Sequence, residues 1–435
     1  MAKLNKQSPI YTHEGAKASK INPELQLRRS VMACLLWENS FYESGESIAD
    51  RIISTIPMVG PETVASIAME ARDDMKLRHV PLLIVREMAR LAKYKKFVTE
   101  TLGYVIQRPD ELSEFLAIYW KDKRQPLSAA VKKGLAFAFT KFDEYQLAKY
   151  NRADKVKLRD VLRLCHAKPE SAEQAKLWKR LIDDELVTPD TWEVALSTGK
   201  DKKATWERLL SENKLGGLAL LRNLRNMNEA GVNPDIIFAG LDRMKTDRIL
   251  PFRFISAAKY APQWEPQIEI AMLKCLENKP KLKGKTAIVI DGSDSMFGTP
   301  ISPKSEIDRF EAAAALAILI REICQDSSIT VFSNNAYVVP SRRGFALRDA
   351  IRSKAERGGT NTQNGIMVAT QYGYDRIIVV TDEQSHQFVQ NPLVNTTGYF
   401  INVATYQNGI GYGHWVHIDG WSESIIDYIT RYEGQ

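Results

Sequence analysis

The chain has 435 residues, 44% of them hydrophobic and 26% charged, with a net charge of +7 at pH 7. A chain of this length exceeds the size at which one hydrophobic core keeps growing, so we expect two or more domains. It contains no run of about 18 apolar residues, and its first residues lack the apolar stretch of a signal peptide. These features argue against a membrane protein and favour a soluble cytoplasmic protein, or a nuclear one.

The charge is distributed unevenly along the chain. Residues 1–285 carry 49 Lys and Arg against 37 Asp and Glu, whereas residues 286–435 carry 11 against 16. A basic excess of this kind is typical of a surface that binds a polyanion. The first 285 residues are therefore the candidate nucleic-acid-binding part.

The four cysteines, Cys34, Cys165, Cys275 and Cys324, are widely scattered. Their spacing fits neither a disulfide framework nor a zinc site. We expect free thiols in a reducing compartment.

The predicted elements divide the chain into four parts. Residues 1–20 are polar and basic, which indicates a flexible arm. Residues 21–278 contain more than a dozen segments with helical apolar spacing, separated by Pro and Gly, which favours stacked helix pairs of the HEAT type. Residues 279–285 form a basic linker. Residues 286–435 alternate strands with helices and predict a doubly wound α/β domain.

The α/β part contains five oxygen-bearing side chains in three predicted loops. Asp291, Ser293 and Ser295 follow the apolar run 286–290, Thr360 lies in a Gly-Gly-Thr loop, and Asp382 follows the apolar run 377–380. The carboxyl ends of parallel strands meet at one edge of a sheet, where open α/β sheets bind ligands. Hydroxyl and carboxylate oxygens suit Mg²⁺ or Mn²⁺ better than zinc. The sequence thus predicts a site for one divalent cation, although an isolated Asp-x-Ser-x-Ser segment is more often a turn or a helix cap.

The arrangement resembles the metal-ion-dependent adhesion site of von Willebrand factor A domains. The resemblance implies that Ser293, Ser295 and Thr360 are direct ligands and that Asp291 and Asp382 act directly or through water. It also implies an open coordination position for an acidic group of a partner.

Three helical segments resemble the motifs of the TROVE module of Ro ribonucleoproteins, namely LRDVLRLCHAKP at 158–169, ALLRNLRNM at 219–227 and RILPFRF at 248–254. Residues 12–15, 27–31 and 36–38 are similar to bacterial and phage members. The resemblance implies a ring of HEAT-like repeats closed by the A domain, with small structured noncoding RNA of the Y type on its outer surface. It further implies that single-stranded 3′ ends of misfolded RNA enter the central hole, and that an exoribonuclease is a partner.

The region around the first motif is rich in basic residues. We define these as the basic belt: Lys132, Lys133, Lys141, Lys149, Arg152, Lys155, Lys157, Arg159, Arg163 and Lys168. Such residues could bind phosphate groups or could form an ordinary solvated helix face. The resemblance favours RNA. Many animal members have a histidine where this chain has Leu158, so contacts through that position are not expected.

We expect none of His166, His414 and His417 to bind a metal ion. We expect His166 to be a partly buried structural residue, because its neighbours are apolar. His414 and His417 have no acid nearby in the sequence to complete a zinc site.

These observations predict a monomeric, noncatalytic RNA-binding protein with one Mg²⁺ or Mn²⁺ site, acting in RNA quality control or as a ribonucleoprotein scaffold. One alternative is a protein–protein adaptor that uses the metal site. A metal-dependent nuclease is less favoured, because two-metal hydrolysis usually requires several clustered carboxylates and this site has two.

Overall fold

The structure is a computed structural model of the chain. It describes residues 10–11, 17–18, 22–33, 45–151, 156–197, 199, 201–246, 249, 252–277, 279–301, 307–371, 373–385, 387–404, 414–420 and 424–434. Most of the predicted arm, and Arg152 and Lys155 of the basic belt, lie outside these residues. In the arm, Ile10–Tyr11 (β1) pairs antiparallel with Lys17–Ala18 (β2).

Sixteen helices of the described residues precede the α/β part. They are α1 Pro23–Met32, α2 Gly45–Thr55, α3 Pro61–Asp73, α4 His79–Arg90, α5 Lys95–Val105, α6 Pro109–Tyr119, α7 Ala129–Phe139, α8 Glu144–Tyr150, α9 Leu158–Cys165, α10 Ala172–Asp183, α11 Trp192–Ser197, α12 Lys202–Ser211, α13 Gly217–Glu229, α14 Pro234–Arg243, α15 Phe252–Tyr260 and α16 Glu265–Glu277. Several begin with proline, whose fixed φ suits the first helical position. Others begin after a capping side chain, such as Ser128 before α7 and Asp143 before α8.

The described residues of the α/β part form six strands and four helices. They are β3 Leu282–Asp291, α17 Arg309–Ile323, β4 Cys324–Phe332, β5 Ala336–Val338, α18 Gly344–Lys354, α19 Thr362–Thr370, β6 Arg376–Thr381, β7 Thr397–Asn402, β8 Trp415–Asp419 and α20 Ser424–Gly434. The sheet order is β5-β4-β3-β6-β7-β8. Every neighbouring pair is parallel except β4 and the edge strand β5. The predicted α/β fold with a largely parallel sheet is confirmed.

Some element boundaries differ from the prediction. Strand β3 begins at Leu282, inside the segment predicted as a linker, because residues from Leu282 onward pair with β4. Strand β8 was not predicted as a strand. It has five residues and lies at the edge of the sheet beside β7, and the sequence indicated no more than a strand end at Trp415 and Val416.

The described chain forms two compact units. The helical unit is Asp50–Leu215, and the mixed unit combines Met1–Ala49 with Gly216–Gln435. The helical unit contains consecutive helices that pack on their neighbours and on the next helix but one, as α5 does on α7 and α4 on α6. This is the packing expected of HEAT-like helix pairs.

The mixed unit joins helices α13–α16 to the sheet through helix α17. All residues of α17 are buried except Glu311 and Arg321, so it is apolar on nearly every side. It contacts β3, β4 and β6 on one side and α15, α16 and α18 on another. Lys259 and Glu311 add an ion pair of 2.9 Å between α15 and α17. The compact units therefore do not divide at the predicted linker 279–285.

The core of the sheet explains how the loops at its edge are held. Ala287 and Val289 of β3 pack with Phe332 and with Ile366 of α19 in one cluster. Because side chains alternate along a strand, Ile288 and Ile290 point to the other face. All four strand residues are at most 1% exposed, so β3 is a central strand with helices over both faces.

Candidate functional site

Strands β3, β4 and β6 end side by side, and hydrogen bonds join the loop after β3 to the end of β4 and to the loop before α19. The amide of Gly292 donates to the carbonyl of Phe332 at 2.7 Å. The amide of Asp294 donates to Gly358 at 3.0 Å, and that of Asn361 donates to Ser333 at 2.9 Å. The sheet therefore brings the three predicted metal-site segments to one edge.

The hydroxyl and carboxylate groups of the first segment are close to one another. The Ser293 Oγ lies 3.2 Å from the Ser295 Oγ. Asp291 Oδ1 accepts the Ser293 amide at 2.9 Å, and Asp291 Oδ2 accepts the Thr381 hydroxyl at 2.5 Å. These bonds fix the carboxylate of Asp291 at the end of β3.

The site is buried but has one accessible side. Asp291 and Asp382 are fully buried, and Ser293 and Thr360 are nearly so, whereas Ser295 is half-buried. Burial, followed by the negative charge of Asp382, raises the pKa of Asp291 to about 7. Two carboxylates removed from water in this way are unfavourable without a compensating cation. The donor set fits a hard divalent ion that keeps a position open near Ser295.

A buried arginine next to these acids was missed by the sequence reasoning. Arg309, the first residue of α17, is 2% exposed and lies 3.5 Å from the Asp382 Oδ2. It also donates to the Ser295 carbonyl at 3.3 Å. Its positive charge offsets part of the repulsion between the two aspartates. Nothing in its sequence context distinguishes it from an ordinary first-turn arginine.

A second buried cluster adjoins the site through Glu383. Its carboxylate is 3.3 Å from the guanidinium of Arg29 on α1, and it accepts the Asn402 amide at 3.0 Å. His417 of β8 lies 3.1 Å from the same carboxylate. The sequence did not indicate an acid next to His417, because Glu383 is distant along the chain. His414 is exposed.

Among the described residues, no three His, Cys, Asp or Glu side chains group together in a way that could hold a metal ion. The predicted metal site at Asp291 and Asp382 differs from such a group, because the other three of its five donors are hydroxyl groups. Among the described residues, Cys165, Cys275 and Cys324 form no disulfide, while Cys34 lies outside them.

The described basic-belt residues lie on α7, α8 and α9 and in the loops that follow them. The α9 helix buries Leu158, Val161, Leu162 and Cys165. Its other side carries Arg159, which is half-buried, and Arg163, which is exposed.

The remaining belt residues differ in exposure. Lys133, Lys141 and Lys168 are exposed, while Lys132, Lys149 and Lys157 are half-buried. Since α7 packs on α9, the structure brings the α7 and α9 members to neighbouring helices.

The prediction for His166 was wrong. It is exposed and ends α9 in the left-handed conformation with φ 54°, because the chain turns away from the apolar face at that residue. Such a terminal position directs the side chain to solvent although its neighbours are buried.

The TROVE domain family matches residues 5–188 and 179–290. The telomerase protein component 1 of Rattus norvegicus and that of Mus musculus are 22% and 21% identical to this chain, over 50% of its length. The chain spans 12% of the length of each of these curated relatives.

A solved structure also resembles this one. The crystal structure of the Deinococcus radiodurans Ro (Rsr) protein matches with a TM-score of 0.62 and 18% identity, covering 95% of this chain and 100% of that one. Identity at this level shows the fold alone. In the described part of the chain, no helix combines the length and the apolar character needed to cross a membrane.

Proposed function

The chain belongs to the TROVE domain family, the family of Ro ribonucleoproteins that its motifs predicted, and on that premise we propose that it is a noncatalytic RNA-binding protein of the Ro type. Its ligand is small structured noncoding RNA, together with the single-stranded 3′ ends of misfolded RNA. The protein acts in RNA quality control or as a ribonucleoprotein scaffold, as a cytoplasmic monomer. An exoribonuclease is the expected protein partner.

The observation that carries this proposal is the basic belt on neighbouring helices of the helical unit. Lys133, Arg163 and Lys168 are exposed, so their charges are available to phosphate groups. Phosphate contacts supply most of the affinity for nucleic acid, and RNA helices are recognised mainly by shape and backbone. The net positive charge of the first 285 residues supports the same ligand.

A matched pair of charge reversals tests the belt. We expect Arg163→Glu with Lys168→Glu to weaken binding to a structured RNA hairpin and to reduce the slope of log K against log salt by about 1.5, since each lost phosphate contact removes roughly 0.7–0.9. The control is Lys202→Glu with Lys203→Glu, which makes an equal change in net charge at exposed positions on α12. Equal salt slopes in the two double variants would refute the belt.

For the α/β domain, we propose one Mg²⁺ or Mn²⁺ held by Asp291, Ser293, Ser295, Thr360 and Asp382. The bound cation would supply an electrophilic position that an acidic group of a partner can occupy. The half-buried Ser295 supports an open side, and the raised pKa of Asp291 supports a need for positive charge.

The metal site also supports a second candidate function, an adaptor for another protein. Large apolar side chains are exposed on the loop that follows Asp382 and on α19, namely Phe388, Val394 and Met367. Exposed apolar groups of this size are common at protein–protein contacts. A nuclease is disfavoured, since the site has two carboxylates and a buried arginine. Mg²⁺-dependent cleavage of RNA by ribonuclease-free protein would overturn the noncatalytic assignment.

A further inference from the structure

Helices α5 and α7 of the helical unit pack unusually close because each contributes a glycine to the contact. A Cβ atom on Gly134 would lie 2.9 Å from the Leu102 Cβ and 3.0 Å from the Thr99 carbonyl oxygen. A Cβ atom on Gly103 would overlap the Phe137 ring and lie 3.1 Å from its Cε1. The ring of Phe137 is therefore seated directly on the backbone of α5.

Phe137 is nevertheless 54% exposed, although phenylalanine is usually buried. Its neighbours Leu135, Ala138 and Phe139 are buried in the core, so the helix is oriented by them and Phe137 remains on the outer side. The ring thus has support on one side and solvent on the other. That is the geometry of a platform on which a flat group can stack.

Positive charge lies beside the platform. The Lys141 ammonium is 5.7 Å from the Phe137 ring centroid. It is fixed there because it donates to the carbonyl oxygens of Gly103 and Ile106, the latter at 2.8 Å. Two carbonyl partners leave an ammonium one further donor. Lys133 is exposed one helical turn before Phe137.

The nearest acids along the chain are already engaged. Asp143 caps α8 by accepting the Gln146 amide at 2.7 Å. Glu144 forms a two-bond ion pair with Arg180 at 2.5 and 2.7 Å. From helices farther along the chain, the charges of Glu111 and Asp73 also act on Lys141, and Glu111 is itself paired with Arg72 at 2.9 Å. The charges at the ring itself are those of Lys141 and Lys133, which favours a polyanion over an apolar peptide.

A second aromatic ring of the helical unit also has positive charge next to it. The loop from Ile106 leads to Arg108, whose guanidinium lies 4.7 Å from the Tyr150 ring centroid, and the Lys149 ammonium lies 5.9 Å from the same centroid. Tyr145 is also exposed, and the Lys149 ammonium lies 5.9 Å from its ring centroid too. Burial and then the negative charge of Glu193 raise the pKa of Tyr145, so acids also act on this ring. We therefore leave Tyr145 out of the site.

We propose that Phe137 and Lys141 form a stacking subsite for an unpaired nucleobase and its phosphate. Stacking on an aromatic ring next to a cation is a common means of binding single-stranded nucleic acid without sequence preference. The subsite rests on the proposed RNA-binding function and specifies a part of it. Phe137 and Lys141 hold unpaired RNA, whereas the other members of the basic belt hold the backbone of structured RNA.

Replacement of the ring tests the proposal in the full-length protein. We expect Phe137→Ala to weaken binding of a single-stranded RNA oligonucleotide roughly 5- to 100-fold, the usual range for one stacked base. Phe137→Trp, which keeps an aromatic face, should retain the affinity. Val187→Ala removes an apolar side chain that is 70% exposed elsewhere on the helical unit and is the matched control.

A second measurement detects stacking directly, first in the unaltered protein and then in the variant. Binding of the unaltered protein to an oligonucleotide that carries 2-aminopurine should quench the fluorescence of that base, because stacking quenches it, and Phe137→Ala should reduce the quenching. A blunt-ended RNA duplex, which has no unpaired bases, should bind all these variants equally.

The outcomes separate this inference from the proposed function. If the unaltered protein binds the duplex, and the single strand binds Phe137→Ala as tightly as it binds the unaltered protein, the subsite is refuted and the RNA-binding function stands. If the 2-aminopurine fluorescence is not quenched and an apolar peptide displaces the oligonucleotide, Phe137 belongs to a protein contact and the subsite is equally refuted. If neither RNA binds the unaltered protein, the proposed function fails and the subsite fails with it.

Discussion

Helix α1 is held to the sheet by a buried ion pair, and we expect Arg29→Met to weaken the mixed unit markedly. The guanidinium of Arg29 is 3.3 Å from the carboxylate of Glu383, and both side chains are at most 2% exposed. Removal of one partner leaves the other charged and buried, which costs more than the pair contributes when intact.

The magnitude follows from the contacts that remain. A buried pair broken on one side costs about 3–5 kcal/mol. Glu383 would keep Asn402 at 3.0 Å and His417 at 3.1 Å, so we expect the lower end, about 3 kcal/mol. For a unit of this size, a loss of 1 kcal/mol lowers Tm by about 2 °C, which gives a decrease of about 6 °C.

Arg28→Met is the matched control, because Arg28 directly precedes Arg29 and its ion pair with Glu24 is solvent-exposed. Exposed pairs contribute about 0–1 kcal/mol. Urea denaturation measures the free energy of unfolding, and hydrogen exchange shows whether α1 and β8 lose protection. In the double variant Arg29→Met, Glu383→Gln, the cost should be smaller than the sum of the two single costs by about 1–3 kcal/mol. An Arg29→Met protein as stable as Arg28→Met, or strictly additive costs, would refute this reasoning.

Three further results are expected. Asp291→Ala should abolish Mg²⁺ binding in calorimetry while leaving hairpin RNA affinity unchanged, and a variant that still binds Mg²⁺ would contradict the metal site. Gly365→Ala should lower the free energy of unfolding by about 1–3 kcal/mol, because its methyl group would lie 2.7 Å from the Phe332 ring, whereas Gly216→Ala, with open space around it, should change it little. Mass spectrometry of the nonreduced protein should find Cys165 as a free thiol, and a disulfide at this residue would contradict the reducing compartment.

The sequence by itself determined the order of the elements and the location of the candidate metal site. Apolar runs ending in Asp291 and Asp382 mark two strands, and side chains that follow parallel strands meet at one edge whatever else the fold does. Repeated helical spacing identified the helices before residue 279, and short motifs identified the family. These signals are local, so they can be read along the chain.

The tertiary structure decided what depends on contacts between distant residues. Arg309 reaches Asp382 and Arg29 reaches Glu383 across 73 and 354 positions, and no local pattern records such pairs. The grouping of α13–α16 with the sheet depends on α17 being apolar on nearly every side, which requires two packing partners. The exposure of His166 and Phe137 was decided in the same way, because burial depends on which neighbouring elements cover a side chain and not on the apolar character of the adjacent residues.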